Sequence, residues 1–265
     1  MKKNINIYIV THKKFDAPIL ENYLPIQVGI KNEQGKIYEL SDNTDDNISY
    51  KNKNYCELTA LYWIWKNDKK SDYVGMVHYR RYFYVKRNNS PTNILTYEKA
   101  LNILENYDCI LPKKWNLYFG NVLKNYDEFH NIDDYYKCRE IISEMYPDYI
   151  NSFDKISRQR KFYPFNMFIM KKELFDEYME WLFNIFNKLE SFINLEDYDD
   201  YNKRVYGFLS ERLFNVWIDY NIKDIYELPV FRNDQTVFKQ KINRVFALIN
   251  YKIHKLYKNM FSKDG

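Results

Sequence analysis

The amino-acid sequence predicts an α/β fold in which helices flank a largely parallel central sheet. Short runs of apolar, β-branched residues alternate with amphipathic segments of helical period, which is typical of strand–helix–strand units. The chain has 265 residues, 46% of them hydrophobic, which is enough to bury the core of one large domain. No internal repeat and no Pro- or Gly-rich linker divides it. We therefore expect one domain over residues 1–238, followed by an appended segment at 239–265.

The first part of the chain contains three predicted strands and two predicted helices. Each strand is a short apolar run with a polar or turn-forming end, and each helix has apolar residues at helical intervals. Asn54 and Glu57 have the spacing of a capping box, which predicts that Glu57 is a cap. In chain order we expect a strand at 5–10, loops at 22–50, a helix at 55–67, a strand at 73–77, a helix at 94–106 and a strand at 108–111.

The second part of the chain is expected to be mainly helical, with returns to the sheet. Pro147 should end the first of its helices, because proline has no N–H for the helical hydrogen bond. In chain order we expect a helix at 127–142, a strand at 162–170, helices at 172–189 and 207–220, and an extended segment at 224–231.

Composition and charge exclude several classes of protein. Cys56, Cys109 and Cys138 form no CxxC pair, so neither a disulfide framework nor a thiolate zinc site is indicated, and a reducing, cytoplasmic setting fits best. The first apolar run is broken by Asn6 and is too short for a signal peptide, and no stretch approaches a membrane span. The net charge of +4 is concentrated in 239–265, which argues against nucleic acid as a partner of the body.

Polar residues follow two of the predicted strands, Thr11-His12-Lys13 after the first and His78-Tyr79-Arg80-Arg81 after the second. Ligands of open α/β sheets bind outside the carboxyl ends of the strands, so both segments should lie at one edge. Two adjacent guanidinium groups suit bidentate recognition of phosphate, and a diphosphate is the natural ligand. The alternative is that the arginines pair with carboxylates of the chain, among them Asp45, Asp46 and Asp72.

Other motifs for cofactors and metals are absent. The sequence contains no GxxxxGK[ST], GxGxxG or GxSxG segment. His12 and His78 have no cysteine or carboxylate at metal-ligand spacing, so we predict no metal site and no required cofactor. Asp42 to Asp46 resembles a calcium loop only in part, because the central glycine and terminal glutamate are missing. The loop at 42–49 is either a binding loop or a solvated one.

Six segments carry a resemblance to a known family: DNTDDNIS at 42–49, NKNYCELTALYWIWKN at 52–67, GMVHYRRYF at 75–83, NMFIM at 166–170, EWLF at 180–183 and GFLSERL at 207–213. They resemble a family of domains of unknown function found in bacterial capsular and exopolysaccharide clusters. The resemblance covers about residues 5–235. It implies a cytoplasmic glycosyltransferase with a GT-A-like nucleotide-sugar domain, and some relatives are described as galactofuranosyl or other hexosyl transferases.

The resemblance also implies a donor site at the strand ends. Most GT-A enzymes hold the donor diphosphate through a metal on an Asp-x-Asp motif, where this sequence has His78-Tyr79-Arg80. We therefore expect the arginines to neutralise the leaving nucleoside diphosphate without a metal. The expected donor-binding residues are Thr11, His12, Lys13, Asp42, Asn43, Asn47, Ser49, Asn52, His78, Tyr79, Arg80 and Arg81, and Asn166 is expected to contact the acceptor.

An inverting transfer needs a group that takes the proton of the acceptor hydroxyl. Glu211, near the start of a predicted helix, is the first candidate for this catalytic base, and His130 is the second. The alternative for Glu211 is a carboxylate stabilised by the helix dipole. The alternatives for His130 are acceptor binding and simple packing.

The appended segment has the pattern of a basic amphipathic helix. From Ile242 to Met260, apolar residues recur at spacings of three and four, and lysines occupy the flanks. Such a helix could lie on an anionic membrane surface through 239–263, at the inner face of the plasma membrane, where a polyprenyl-linked saccharide acceptor would be found. Packing on the protein body or on a second subunit is the alternative.

Together these observations predict a hexosyltransferase, with galactofuranose or galactose as the sugar moved from a nucleotide diphosphate donor to a lipid-linked saccharide. Two other functions remain open at this stage. One is a non-catalytic protein that binds a saccharide or a nucleotide sugar, and the other is a phosphotransferase that acts on glycans.

Overall fold

The computed structural model describes residues 3–30, 35–236, 239–240 and 242. The strands of this part are β1 (Ile5–Thr11), β2 (Tyr23–Gln27), β3 (Leu40–Ser41), β4 (Tyr73–His78), β5 (Arg81–Phe83), β6 (Cys109–Pro112), β7 (Trp115–Asn116), β8 (Lys161–Phe162), β9 (Phe168–Lys171), β10 (Ile225–Leu228) and β11 (Val230–Arg232). Its α-helices are α1 (Asn52–Tyr55), α2 (Leu58–Asn67), α3 (Tyr97–Leu104), α4 (Val122–Phe129), α5 (Ile132–Met145), α6 (Ile150–Arg158), α7 (Lys172–Leu189) and α8 (Val205–Asn221).

The central sheet has the strand order β10-β6-β9-β4-β1-β2-β3. β1 is parallel to both of its neighbours, β2 is parallel to β3, and β10 is parallel to β6. β9 is antiparallel to β4 and to β6. At the carboxyl end of β4 the chain turns back into β5, which is antiparallel to β4 and to β11. The predicted fold class, a mostly parallel sheet flanked by helices, is confirmed.

The middle of the sheet is tightly packed because β4 carries a glycine between two isoleucines. Gly75 is in register with Ile7 of β1 and Ile169 of β9. A Cβ atom at Gly75 would lie 2.9 Å from Ile169 Cγ1 and 3.1 Å from Ile7 Cγ1. The absence of a side chain at this position therefore lets the branched side chains of both neighbours fill the space above it.

The two faces of the sheet are covered by different elements. Alternate residues of β1 point to opposite faces: Ile5, Ile7 and Ile9 pack with the residues of α3 and β5, whereas Tyr8 and Val10 pack with those of α2, α7 and α8. Most residues of these two hydrophobic clusters, one on each face of the sheet, are fully buried. This double cover explains why the strands are continuous apolar runs instead of alternating ones.

The helix predicted at 55–67 is interrupted, and its predicted cap is wrong. Cys56 has φ of 54°, in the left-handed region, so α1 ends before it and α2 begins after it. The side chain of Asn54 donates to the carbonyl of Lys203 at 2.9 Å, and Glu57 makes no capping hydrogen bond. Both side chains bond to distant parts of the chain, which the local spacing could not indicate.

Two other predicted elements are also divided. The helix expected at 127–142 is α4 and α5, separated at His130, and the side chain of Asn131 caps α5 by accepting from the N–H of Asp133 at 3.1 Å. The strand expected at 162–170 is β8 and β9, with a turn between them in which Phe165 and Asn166 have φ of 76° and 53°. This turn lies at the edge of the sheet.

The remaining predictions differ in outcome. The strands at 5–10, 73–77 and 108–111 and the helices at 172–189 and 207–220 are confirmed within two residues at each end. The helix expected at 94–106 forms only as Tyr97–Leu104, and β2 and β3 within 22–50 were not predicted. Most of the helix predicted for 239–265 lies outside the described residues. No described helix is both long and apolar enough to cross a membrane.

Candidate active site

The two predicted polar segments lie next to each other at the carboxyl edge of the sheet. Val10 of β1 is in register with His78 of β4, and the N–H of Tyr79 donates to the carbonyl of Val10 at 3.1 Å. The edge continues across β2 and β3, because the N–H of Val28 donates to Thr11 at 2.8 Å and that of Asp42 donates to Gln27 at 2.9 Å. Three loops that the sequence singled out therefore start from one edge.

Tyr79 is the centre of a group of cationic side chains at this edge. The Arg80 guanidinium lies 4.6 Å from the centre of its ring, and Lys13 Nζ lies 5.6 Å from it. His12 meets the ring edge to face, with 5.3 Å between centroids. Arg80 also donates to the Tyr79 hydroxyl. The ring holds two positive charges of separate loops close together, an arrangement that cation–π attraction stabilises.

An arginine cluster, defined here as Arg80, Arg81 and Arg232, continues this surface around Asp234. Arg232 binds Asp234 through two nitrogens, at 2.8 and 2.6 Å, and Arg80 approaches the same carboxylate at 3.4 Å. The bidentate contact with Arg232 holds the pKa of Asp234 at about 2. One carboxylate therefore balances two guanidinium groups, which leaves a net positive charge.

Arg81 differs from the other two arginines in having no ion pair with a described residue. Its guanidinium lies over the ring of Phe165, 4.6 Å from the centroid. Burial lowers its pKa, and the charges of Arg232 and Arg80 lower it further. An incompletely paired guanidinium beside two others is an attractive position for an anion.

The carboxylates that the sequence offered as partners of the arginines are engaged elsewhere. Asp46 accepts from the hydroxyl of Tyr62 at 3.2 Å, and Asp72 accepts from the backbone N–H of Asn4 at 2.7 Å. Asp45 lies in the same turn as Asp46 and forms no ion pair with a described residue. In the described part of the chain neither arginine pairs with these three carboxylates, and Arg80 pairs with Asp234 instead.

Next to Arg81 lies an edge cluster, defined here as His78, Glu57, Asn166, Ser210 and Glu211. His78 Nε2 is 2.8 Å from the carbonyl oxygen of Phe165, and the N–H of Phe165 donates to Glu211 at 2.6 Å. The Asn166 amide donates to both Glu57 and Ser210 at 2.9 Å. Residues from α2, β4, α8 and the strained turn at 163–167 therefore meet at one point. Strained backbone of this kind concentrates at functional sites.

The hydrogen bond of His78 fixes the tautomer of its imidazole. A carbonyl oxygen only accepts, so Nε2 carries the proton and Nδ1 is the acceptor in the neutral ring. Burial lowers the pKa of His78, whereas the charges of Glu57 and Glu211 raise it. Among the described residues no group of three or more His, Cys, Asp or Glu side chains has the geometry to hold a metal ion.

Asn166, predicted to contact an acceptor, is buried, with 2% of its surface exposed. Its amide nitrogen donates hydrogen bonds to Glu57 and Ser210, and its Oδ1 has no hydrogen-bond partner within the described ranges. In this structure Asn166 joins α2 to α8 beneath the edge. It holds Glu57 in position and does not itself face solvent.

The loop after β3 contains the other predicted donor-binding residues, and they divide into two groups. Asp42 is fully buried, accepts from the hydroxyl of Thr59 and receives support from Asn52, whose amide donates to Thr59 at 2.9 Å. Burial raises the pKa of Asp42 to about 6. Its Oδ1 has no partner among the residues described. The second group is bonded within the loop itself and consists of Asn43, Asn47 and Ser49.

The two candidates for the catalytic base occupy different places. Glu211 lies in the second turn of α8 and belongs to the edge cluster, with its second oxygen 3.0 Å from Arg212. His130 lies outside the cluster: its ring stacks on Phe208 at 4.0 Å, and its Nδ1 is 3.2 Å from Asn202. Burial lowers the pKa of His130 to about 4. The structure thus separates the two candidates.

Three residues of this site were not predicted from the sequence. Glu57 was assigned to a cap because its spacing from Asn54 fits one, and Arg232 and Asp234 were not considered because they follow the last strand. Antiparallel pairing places Arg232 in register with Arg81, so the chain returns to the site only through β11. The available signal was the charged pair Arg232 and Asp234 directly after the apolar residues Val230 and Phe231.

Comparison with known proteins shows to which family this chain belongs. Residues 6–222 match the family model described as a domain of unknown function, DUF4422. The chain belongs to the DUF4422 family. The resemblance found in the sequence to a family of domains of unknown function is thereby confirmed. A search of curated proteins finds no match.

Two solved structures resemble this DUF4422 chain. The apo structure of the bifunctional glycosyltransferase WbbM is 32% identical in sequence, with a TM-score of 0.81 over 88% of this chain and 46% of that one. The chain thus spans about half the length of WbbM. The mannosyltransferase Ktr4p from S. cerevisiae matches over 88% of this chain and 72% of that one, at 11% identity. Its TM-score of 0.34 is too low to relate the two folds.

Proposed function

We propose that this DUF4422 chain is a glycosyltransferase that moves a hexose, galactofuranose or galactose, from a nucleoside diphosphate donor to a lipid-linked saccharide in capsule or exopolysaccharide synthesis. The observation that carries the proposal is the 32% identity to a solved glycosyltransferase over 88% of the chain. The cationic edge of the sheet supplies the chemistry that such a reaction needs.

In this proposal the arginine cluster binds the diphosphate of the donor. Arg81 is the guanidinium with no ion pair among described residues, and Arg80 shares Asp234 with Arg232. Asp234 neutralises only part of the positive charge of the cluster, and the phosphate oxygens of the donor would neutralise the rest. Charge builds up on the leaving diphosphate during glycosyl transfer, so fixed positive groups stabilise the transition state more than the ground state.

The loops next to the cluster would hold the rest of the donor. His12 and Lys13 lie beside Tyr79 and would contact the nucleotide. Thr11 is buried, and its hydroxyl donates to the carbonyl of Lys13 at 2.6 Å, so it would shape this loop. The loop residues Asn43, Asn47 and Ser49 would supply hydrogen-bonding groups for ribose or sugar hydroxyls. Asp42 is fully buried and, with Thr59 and Asn52, would hold this loop in place. We propose that no resident metal is required, because guanidinium groups stand at the strand end where a metal-binding carboxylate pair would be expected.

The catalytic base is proposed to be Glu211, which belongs to the edge cluster, and the transfer is proposed to be inverting. Glu57 is the competing carboxylate, since it reaches the same cluster through Asn166. Replacement of the true base, Glu211→Gln, should lower kcat by about 10²- to 10⁴-fold and abolish the acidic limb of the pH–rate profile. Glu57→Gln, assayed in parallel, should change KM or thermal stability more than kcat. The opposite pattern would assign the base to Glu57.

The function is tested by nucleoside diphosphate release from a panel of nucleotide hexoses, including UDP-galactofuranose, with and without EDTA. Wild-type protein should release product from at least one donor in EDTA, and Arg80→Ala should release much less. Arg158→Ala, an exposed arginine on α6, is the matched control and should behave as wild type. Failure of every donor, with a saccharide acceptor present, would reject the transferase and favour a binding protein.

A further inference from the structure

A cavity lies away from the arginine and edge clusters, between the start of α5 and the segment that precedes α8. Its volume is about 510 Å³. Its lining includes Asn131 and Asp134 at the start of α5, and Tyr198 and Asn202 of the segment before α8. Phe192, whose ring is 55% exposed, adds an apolar face. None of these residues belongs to the donor site.

One residue of the lining, Asp134, is a buried carboxylate with an unused oxygen. Asp134 is 5% exposed, and its Oδ1 accepts from the hydroxyl of Tyr198 at 2.7 Å. Its Oδ2 has no hydrogen-bond partner among the residues described. Tyr198 in turn accepts from the amide of Asn131 at 3.0 Å. A buried carboxylate oxygen without a donor is costly unless a ligand or water completes it.

The lining of the cavity selects against anions. Asp133, Asp197 and Asp199 join Asp134 in the lining and outnumber its cationic residue Lys137, whose charge is also shared with Glu140. Phosphate groups would be repelled by four carboxylates, so a nucleotide is a poor fit. Within the described ranges no cluster has metal-ligand geometry, which disfavours a divalent cation.

The same lining matches the surface of a neutral sugar. Carboxylate and amide oxygens accept hydrogen bonds from sugar hydroxyls, and the amide nitrogens of Asn131 and Asn202 can donate to them. Lys137 Nζ lies over the Phe192 ring, 4.7 Å from its centre, yet Phe192 stays 55% exposed. Its remaining surface can pack against the C–H face of a pyranose or furanose ring, which gives an apolar contact inside a polar cavity. The volume, charge and polarity of the cavity thus all fit a neutral sugar.

The cavity is connected to the candidate active site through a short series of contacts. Asn202 on its wall bonds to Nδ1 of His130, and His130 stacks on Phe208 at 4.0 Å. Phe208 belongs to α8, whose next turn carries Ser210 and Glu211 of the edge cluster. A chain of sugars that occupies the cavity would therefore approach the same end of α8 as the donor.

We propose that this cavity is an acceptor subsite that binds a neutral saccharide through Asp134, Asn131 and Phe192. The assignment of the saccharide as acceptor rests on the proposed transferase function, whereas the binding itself does not. His130, considered above as a base, is then a positioning residue that holds Asn202 in the wall of the subsite.

Saccharide binding by the full chain tests the proposal directly. Saturation-transfer NMR with the methyl glycosides of galactopyranose, galactofuranose, mannopyranose and glucopyranose should show binding of at least one by wild-type protein, and methyl glucuronide should bind more weakly. Asp134→Asn should weaken binding about 10-fold or more, because hydrogen bonds to a charged acceptor are lost. Phe192→Ala, at an exposed position that does not threaten folding, should weaken it as well. Asp148→Asn, an exposed carboxylate outside the cavity, should have no effect.

Two results would overturn the subsite. One is the absence of glycoside binding by wild-type protein, or equal binding by wild type, Asp134→Asn and Phe192→Ala. The other is binding of Mn²⁺ or Ca²⁺ that Asp134→Asn abolishes while no glycoside binds, which would assign the cavity to a cation. Donor hydrolysis by the same wild-type preparation without saccharide reports on the transferase alone, so the two proposals fail separately.

Discussion

Arg80 and Arg81 are adjacent in the chain and have different surroundings. Arg80 is tied to Tyr79 and to Asp234, which Arg232 also binds, whereas Arg81 rests on the Phe165 ring without an ion pair in the described part of the chain. The first is held in place by its partners, and the second has its charge available. The site therefore combines a positioned cation with an unsatisfied one.

Arg81→Ala should lower donor turnover by about 10²- to 10³-fold, the loss seen when one preorganised donor to a developing negative charge is removed. Arg81→Lys should recover little of it, because an ammonium group cannot bind phosphate through two parallel hydrogen bonds. Steady-state kinetics of nucleoside diphosphate release measures both, with Arg158→Ala as the control. Wild-type turnover by Arg81→Ala would remove Arg81 from the site.

His130 should make stability depend on pH in a defined direction. Its pKa is lowered by burial to about 4 in the folded state from the ordinary value of 6.5, so the unfolded chain binds more protons between these values. The free energy of unfolding should therefore fall as pH is lowered from 6.5 to 4. The variant His130→Phe keeps a ring against Phe208 and removes the titrating group. In urea titrations, the free energy of unfolding should fall more between pH 6.5 and pH 4.5 for wild type than for His130→Phe. Parallel pH curves for the two proteins would contradict this.

Among the elements, those with local signals were predictable and those that depend on distant contacts were not. β1, β4 and α7 have continuous apolar or amphipathic patterns, and they appear where the sequence places them. β3 has two residues and forms only because Ile26 and Gln27 of β2 are beside it. The break at Cys56 depends on the packing of α1 against α8, which no window of sequence around residue 56 contains.

The same distinction applies to the site. The loops after β1 and β4 were predictable from strand ends and charge, because parallel strands bring their carboxyl ends together. The contribution of Asp234 required the return of the chain through β11, and that of Glu57 required the turn at 165–166. These are contacts between residues more than a hundred positions apart, set by tertiary packing.

Gly75→Ala tests the packing of the central strands. The added Cβ would lie 2.9 Å from Ile169 Cγ1, so β1, β4 and β9 would have to shift. Overpacking of this kind costs about 1–3 kcal/mol of unfolding free energy. Urea denaturation should show a lower midpoint with an unchanged slope. An unchanged midpoint would mean that the sheet accommodates the methyl group without strain.

At the scale of the whole molecule, we propose that the basic segment 239–265 attracts the chain to anionic membrane surfaces. Each lysine or arginine near an anionic surface contributes about 1 kcal/mol of attraction. Full-length protein should co-sediment with vesicles of anionic phospholipid, and a truncation after Phe238 should remain in the supernatant. Neutral vesicles provide the control. Equal sedimentation of both proteins would reject the membrane role and leave packing of the segment on protein.

The proposed donor site and the proposed saccharide cavity form a consistent arrangement. The arginine cluster and the edge cluster meet at the carboxyl edge of the sheet, and the cavity approaches the same end of α8. Donor and acceptor would then enter from different sides of the edge cluster. The whole arrangement depends on the arginine cluster acting as the diphosphate site.

The most direct test is calorimetric titration of UDP, GDP and ADP into the protein in the presence of EDTA. Wild type and Arg158→Ala should bind at least one nucleoside diphosphate, and Arg80→Ala/Arg81→Ala should lose that binding while keeping the wild-type thermal transition. Equal binding by the double variant, or binding by wild type that appears only when Mn²⁺ replaces EDTA, would contradict the central claim that guanidinium groups hold the diphosphate.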